Sequence, residues 1–378
     1  MLKKLTAVIL AFVLSALTIT VSAAAGEEII SAPAGILMEA STGKILYKKN
    51  IHEKRACASV TKIMTLLLVF EAIDSGKLSL DDTITTSEHA SSMGGSDIWL
   101  EPGEKMSADD MIKATAVASA NDAAVALAEH ISGSEDAFVA QMNERASRLG
   151  MKETTFKNCN GLDEKGHVTS AFDVAVMSRE LIKHKKIFDY TGIWLDTLRG
   201  GNTQIVNTNK LLKTYNGITG LKTGTTDEAG CCISATAERD NMELIGVVLG
   251  ADTGKQRFRD AAALIDYGFD NYAVKELKLP DDFPGEIKVE NGMEQTASLS
   301  CEIRSKAIVN RASPDEVQTS IEIPESLKAP VAEGEKAGSI VFRTGGDTKR
   351  FDIISKDEVP EMTFGRVFGR VVNSILEV

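Results

Sequence analysis

Residues 63–73 read Ile-Met-Thr-Leu-Leu-Leu-Val-Phe-Glu-Ala-Ile, apolar on nearly every side. A helix of this kind has no face to offer water, so other elements must enclose it. Asp74-Ser75-Gly76-Lys77 ends it. Residues 34–39 and 44–48 predict two strands, with Ser41-Thr42-Gly43 as the turn between them. Residues 232–238 and 242–249 predict two more, turning at Arg239-Asp240-Asn241, and residues 256–269 predict a closing helix. Between them the chain is mainly helical from about Ser107 to His184. Ser134 opens one helix there, and Ser170-Ala171-Phe172-Asp173 has the form of a capping box with Asp in place of Glu. Strands at both ends with helices between imply an α/β domain whose sheet mixes early and late segments.

The pattern changes near Leu279-Pro280-Asp281-Asp282-Phe283-Pro284-Gly285. Beyond it come short β-like runs at residues 285–290, 296–303, 318–323 and 338–343, a small β-rich module. In residues 361–378 the apolar side chains Phe364, Val367, Phe368, Val371, Val372, Ile375 and Leu376 recur at steps of three and four. That spacing predicts an amphipathic helix. Arg366 and Arg370 within so short a run argue against a bilayer span. The open choices are a helix lying in a membrane surface and one packed on its own β module.

At the other end, Lys3 and Lys4 precede an apolar run from Leu5 to Val21, followed by Ser22-Ala23-Ala24-Ala25. This is the form of a secretory signal peptide, cleaved after Ala23 or Ala25; an uncleaved anchor is the alternative. The expected organisation is therefore a signal peptide at 1–25, a catalytic domain at 26–275, a β-rich domain at 276–360 and a terminal helix at 361–378.

Composition excludes some functions. Formal net charge is −12 without basic clusters, which argues against nucleic acid as a partner. The five cysteines (Cys57, Cys159, Cys231, Cys232, Cys301) and five scattered histidines show no metal-ligand spacing, so no metal or cofactor is expected. Free thiols are the expectation for the cysteines, with one disulfide as the alternative. Cys231 and Cys232, adjacent in a strand, should point to opposite faces.

A hydroxyl nucleophile needs a base. Ser59-Val60-Thr61-Lys62 places serine and lysine three residues apart where the apolar helix begins, so both share one face. The helix N-terminus favours an anionic intermediate and disfavours protonated lysine, which lets a buried lysine act as general base. Ser41-Thr42-Gly43-Lys44 has the same spacing but lies in a turn, where that spacing does not align side chains. Two further elements follow. Ser119-Ala120-Asn121, between helical runs, offers a second hydroxyl and an amide. Lys222-Thr223-Gly224 offers a cation, a hydroxyl and room for close backbone approach.

The order Ser-x-x-Lys, Ser-x-Asn, Lys-Thr-Gly is the signature set of penicillin-binding proteins and serine β-lactamases. The residues around these motifs resemble the low-molecular-mass penicillin-binding D-alanyl-D-alanine carboxypeptidases of peptidase family S11. The resemblance runs through residues 58–65, 94–104 and 118–124, Gly161-Leu162-Asp163 with Gly166-His167, and residues 220–230; it spans about residues 32–272. It implies an antiparallel sheet flanked by a helical cluster, as in serine β-lactamases and transpeptidases, then a β-rich stalk and an amphipathic membrane anchor. It also implies export to the outer face of the bacterial cytoplasmic membrane, a peptidoglycan stem peptide as substrate, and β-lactams as covalent inhibitors. By the same resemblance Ser59 attacks the penultimate D-alanine carbonyl, Lys62 takes its proton and Ser119 relays protons to the leaving group. Asn121 orients the substrate amide, Lys222, Thr223 and Gly224 receive the terminal carboxylate end, and the Ser59 and Thr225 amides form the oxyanion hole.

Thr225, Cys57 and Cys231-Cys232 depart from the usual family pattern. His167 reads as structural, since Lys62 already supplies a base. Arg257 and Arg259 read as surface or ion-pair residues, with contact to a substrate carboxylate as the alternative. The rival functions are a β-lactamase, disfavoured because no Glu-x-x-Leu-Asn motif is present, a D,D-endopeptidase of the same family, and a non-catalytic envelope scaffold.

Overall fold

A computed structural model describes residues 28–313, 317–344 and 347–376; the expected signal segment lies outside them. Strands β1 (Ala34–Glu39), β2 (Ile45–Lys49), β3 (Ile218–Thr226), β4 (Gly230–Arg239) and β5 (Met242–Ala251) form one sheet in the order β2-β1-β5-β4-β3. All its pairings are antiparallel. The hairpin between β4 and β5 turns at Asp240 and Asn241, both at positive φ (50° and 60°), the backbone that a tight two-residue hairpin requires.

The sheet is buried on both faces. Ala34, Ile36 and Met38 of β1 join a core cluster on one side, while Leu37 joins a second cluster on the other. That is the alternation of a strand between two layers. The first layer holds helices α1 (Lys62–Asp74), α2 (Ala108–Lys113), α3 (Asn121–Ser132), α4 (Glu135–Arg148) and α5 (Ala171–Leu181). The second is α6 (Gly254–Asn271). α1 is the enclosed helix that its composition demands: Ile63, Met64, Leu67 and Val69 have no exposed surface.

The cap at Ser170 forms, with its Oγ accepting from the Asp173 amide at 3.2 Å. The return half of a capping box does not. Asp173 Oδ2 instead accepts from Glu153 N and Thr154 Oγ1, at 2.9 and 2.7 Å.

The second unit contains β6 (Tyr272–Glu276), β7 (Glu286–Glu290), β8 (Thr296–Ser300), β9 (Lys306–Asn310), β10 (Gln318–Glu322), β11 (Ser326–Lys328), β12 (Lys336–Thr344) and β13 (Asp347–Ser355). Six of them pair in the order β10-β12-β13-β8-β7-β11 around a separate core that includes Ala297, Ile340 and Ile353. β6 continues from α6 and pairs with β9. β6, β9, β11 and β13 go beyond the strands expected from alternation. In β13 burial alternates, but Lys349 and Ser355 stand at inward positions and Ile354 points outward, so its sequence carries little of the two-residue period.

Helix α7 (Phe364–Leu376) closes the described chain. Its Arg370 donates to Met293 O at 3.0 Å and pairs with Glu294. Its apolar side chains face outward, Phe364 being 86% exposed. Among the described residues no helix is long and apolar enough to cross a membrane.

Candidate active site

The segment leading into α1 carries Ser59. Residues Ala58–Thr61 form a single tight turn of 3₁₀ helix that runs directly into α1, and Ala58 adopts a positive φ of 50° to enter it. Two glycines press on this turn. A Cβ at Gly161 would lie 2.0 Å from Ala58 O, and one at Gly224 would lie 2.7 Å from Ser59 N and 2.8 Å from Cys57 O. The room expected at Gly224 is thus taken by the backbone of the serine turn itself.

Lys62 is fully buried and its three ammonium donors are all used. Nζ donates to Ser59 Oγ at 3.0 Å, Asn121 Oδ1 at 2.5 Å and Asn160 O at 2.7 Å. Burial pulls its pKa down to about 7, against the opposing pull of Cys159 and Asp122. A fair fraction of the amine is therefore neutral near neutral pH, within 3.0 Å of the serine hydroxyl, as a general base must be.

Ser119 sits at the junction of two helical runs. α2 passes into a widened π turn over Ala114–Ala118, and Ser119 ends it in the left-handed region at φ 64°. Such a conformation costs free energy and recurs where a side chain must be aimed. Here it brings Ser119 Oγ to 2.8 Å from Lys222 Nζ, which also donates to Thr223 O at 2.9 Å. Lys222 is 2% exposed, and burial, then the neighbouring Lys62 and Arg257, hold its pKa well below the usual lysine range. Thr223 Oγ1 lies 2.6 Å from Thr208 Oγ1. β3 is an edge strand, the side of a sheet on which a ligand strand can pair.

Ser59, Lys62, Ser119, Asn121, Lys222, Thr223, Gly224 and Thr225 are linked by these contacts into one cluster. The other Ser-x-x-Lys stays outside it: Ser41 Oγ is bound by Glu39 at 2.7 Å and Lys44 Nζ by Ile308 O at 3.1 Å.

Sequence reasoning missed several members. Asn160 contributes only its main-chain carbonyl, which no side-chain pattern announces. Asp122, one residue beyond the Ser-x-Asn motif, accepts from the Ile98 and Leu100 amides and fixes the loop that supplies Gly94 O to Asn121 Nδ2. Arg257 departs from its surface or ion-pair expectation. It is 8% exposed, and its Nη1 donates to Gly224 O and Thr225 Oγ1, both at 2.9 Å. The sheet crosses over it, so the α6 periodicity alone could not show which strand it meets. Arg259 does fit the expectation, exposed beside Asp260. His167 Nε2 meets Thr61 Oγ1 at 2.8 Å and Nδ1 accepts from Lys157 N at 3.2 Å; burial lowers its pKa to about 4, so it is neutral. All five cysteines are free, Cys232 buried and Cys231 half-buried on the opposite face.

A family model described as D-alanyl-D-alanine carboxypeptidase matches residues 20–253, more than half of the chain. The chain belongs to the D-alanyl-D-alanine carboxypeptidase family. A second model, the penicillin-binding protein 5 C-terminal domain, matches residues 272–361. This carboxypeptidase-family chain is 42% identical over 320 residues to D-alanyl-D-alanine carboxypeptidase DacF of Bacillus subtilis, covering 84% of this chain and 82% of the relative. Among solved structures, penicillin-binding protein 5 of Haemophilus influenzae superposes with a TM-score of 0.75 at 30% identity, covering 88% of this chain and 98% of that one. Penicillin-binding protein D2 of Listeria monocytogenes in its ampicillin-bound form matches at 35% identity and a TM-score of 0.58, covering 64% of this chain and 98% of its own.

Proposed function

We propose that this protein is a serine D-alanyl-D-alanine carboxypeptidase that removes the terminal D-alanine from peptidoglycan stem peptides and is acylated by β-lactams at Ser59. The observation that carries the reading is the buried Lys62 amine. It is held between Ser59 Oγ and Asn121 Oδ1, with its pKa brought down to about 7.

The neutral amine accepts the Ser59 proton as Oγ forms a bond to the penultimate D-alanine carbonyl carbon. The oxyanion faces the Ser59 and Thr225 amides. The C–N bond then breaks, and the departing amine takes a proton relayed through Ser119, which Lys222 holds. Water, deprotonated by Lys62, hydrolyses the ester and frees Ser59. Lys222, Thr223 and Arg257 supply the positive end for the substrate carboxylate, which accounts for preference for a C-terminal residue.

The protein acts, on this reading, outside the cell at the membrane surface. Lys3-Lys4 and the apolar run to Val21 support export. The outward apolar face of α7 supports a peripheral anchor.

Mass spectrometry of the purified protein with penicillin and with a D-Ala-D-Ala pentapeptide tests the enzymatic reading. A stable adduct at Ser59 and release of one D-alanine are expected, and both should vanish in Ser59→Ala. Rapid turnover of penicillin would indicate a β-lactamase instead. Cleavage of crosslinked dimers without action on the pentapeptide would indicate an endopeptidase.

A further inference from the structure

Among the acceptors of Lys62, only the Asn160 carbonyl has no side chain to aim it. Its own peptide, Asn160–Gly161, is held by Gly161 N donating to Asn158 Oδ1 at 2.8 Å, and its position depends further on what holds the main chain just before it, at Cys159. Two side chains hold this stretch from opposite sides. Glu135, in the first turn of α4, accepts from Cys159 N through Oε1 at 2.9 Å. Thr65, one turn along α1 from Lys62, donates to Cys159 O through Oγ1 at 2.5 Å. The buried Cys159 thiol also leans on Glu135, and burial, then that carboxylate, raise its pKa well above the usual thiol range. The second Glu135 oxygen is held at 2.8 Å by His89 Nε2, and the carboxylate side chain is 13% exposed. The contacts run without a break from His89 through Glu135 and Cys159 to Asn160 O and Lys62 Nζ.

We infer that Glu135 is a positioning residue for the general base, acting through the main chain that runs from Cys159 N to Asn160 O. This rests on the reading of Ser59 and Lys62 as nucleophile and base. Glu135 touches neither of them. Glu135 reaches Lys62 only through the main chain at Cys159 and Asn160, a link of geometry. What the geometry requires at position 135 is an acceptor for Cys159 N rather than a negative charge. A displaced Asn160 carbonyl would leave the ammonium form one acceptor short, which disfavours protonation. It would also free the Lys62 chain to move away from Ser59 Oγ.

The test is the rate of Ser59 acylation by a fluorescent penicillin, followed across pH in the full chain. Glu135→Ala should acylate about 10–100-fold more slowly, the scale for a small misplacement of a catalytic group. The acid limb of its pH profile should move to lower pH. Glu135→Gln keeps the acceptor and should restore both rate and limb. Thr65→Val, which releases the carbonyl of the same residue, Cys159, should repeat the Glu135→Ala behaviour. The inference is overturned if Glu135→Ala acylates at the wild-type rate with its acid limb unmoved, or if Glu135→Gln is as impaired as Glu135→Ala. Wild-type protein that takes no label would instead sink the reading of Ser59 as the nucleophile, an outcome distinct from either.

Discussion

Lys222 Nζ donates to Ser119 Oγ at 2.8 Å, making a second buried amine–hydroxyl pair beside that of Lys62 and Ser59. The two pairs arrive from different parts of the chain: an edge strand and a π turn in one, a helix start in the other. Their lysines repel each other, and Lys222 lowers its cost by sitting well below its usual pKa. An incoming carboxylate reverses that balance, because an opposite charge in a dry site restores the ammonium.

Lys222→Ala should therefore weaken the free peptide more than it perturbs the fold. A charge-assisted hydrogen bond contributes about 1.5–3 kcal/mol, so kcat/KM for a D-Ala-D-Ala peptide should fall roughly 10–100-fold. The amidated peptide, which lacks the carboxylate, should lose only the part that Lys222 contributes by holding Ser119. Equal losses on the two peptides would remove Lys222 from carboxylate recognition.

Activity should rise with pH through about 7, where Lys62 gives up its proton. Stability should move the same way higher up. Lys62 has a folded pKa below that of an unfolded lysine, so between about 7 and 10.5 the unfolded chain binds the extra proton. Unfolding free energy then increases with pH across that window and is lowest below it, where both states carry the charge. Lys62→Met should reduce this dependence to the part that Lys222, lowered in the same direction by burial, contributes, while abolishing acylation. Denaturant titrations at pH 6 and 9 measure it, and a wild-type slope retained in Lys62→Met would refute the assignment.

Gly161→Ala tests the floor under the nucleophile. Its φ of 86° disfavours any side chain, and the new methyl would fall 2.0 Å from Ala58 O. The chain can relieve that contact only by moving the Ser59 turn. Acylation by penicillin should drop at least tenfold, a loss of roughly 1.4 kcal/mol in transition-state stabilisation. Gly166→Ala is a control: it has the same φ of 86°, but its methyl would meet only Lys157 Cε at 3.5 Å. If the two variants lose acylation equally, backbone strain rather than the contact with Ala58 is responsible.

These relationships show where the sequence was readable and where it was not. Side chains that repeat with a period, or that form a motif at fixed spacing, announce themselves. α1, the β4–β5 hairpin and the Ser59, Ser119 and Lys222 clusters are of that kind. Contacts made by main chain do not. Asn160 could be any residue and still offer its carbonyl to Lys62. The left-handed turn at Ser119 depends on the π turn before it, which no local propensity encodes. Arg257 needed the tertiary crossing of α6 under β3 and β4 to reveal its partners. β13 escaped because Lys349 and Ser355 take inward positions and Ile354 an outward one, which masks an alternation that burial does show.

Deleting residues 361–378 addresses the part of the proposed function that depends on α7. Phe364, Phe368, Val371, Ile375 and Leu376 are exposed, while Arg370 ties the polar side to the β-rich unit through Met293 O and Glu294. A helix so fixed presents one apolar stripe away from the protein. At ~25 cal/mol per Å² of apolar surface removed from water, burying several such side chains at a bilayer interface is enough for reversible attachment. Because Met293 and Glu294, the partners of α7, lie in the β-rich unit, the truncated protein should leave membrane fractions and keep its pentapeptide kcat/KM within about twofold. Substituting Phe368 and Ile375 with Asp should give the same release while keeping the helix. Membrane attachment that survives both changes would transfer the anchoring role to the N-terminal segment; release accompanied by lost activity would mean that α7 supports the catalytic domain itself.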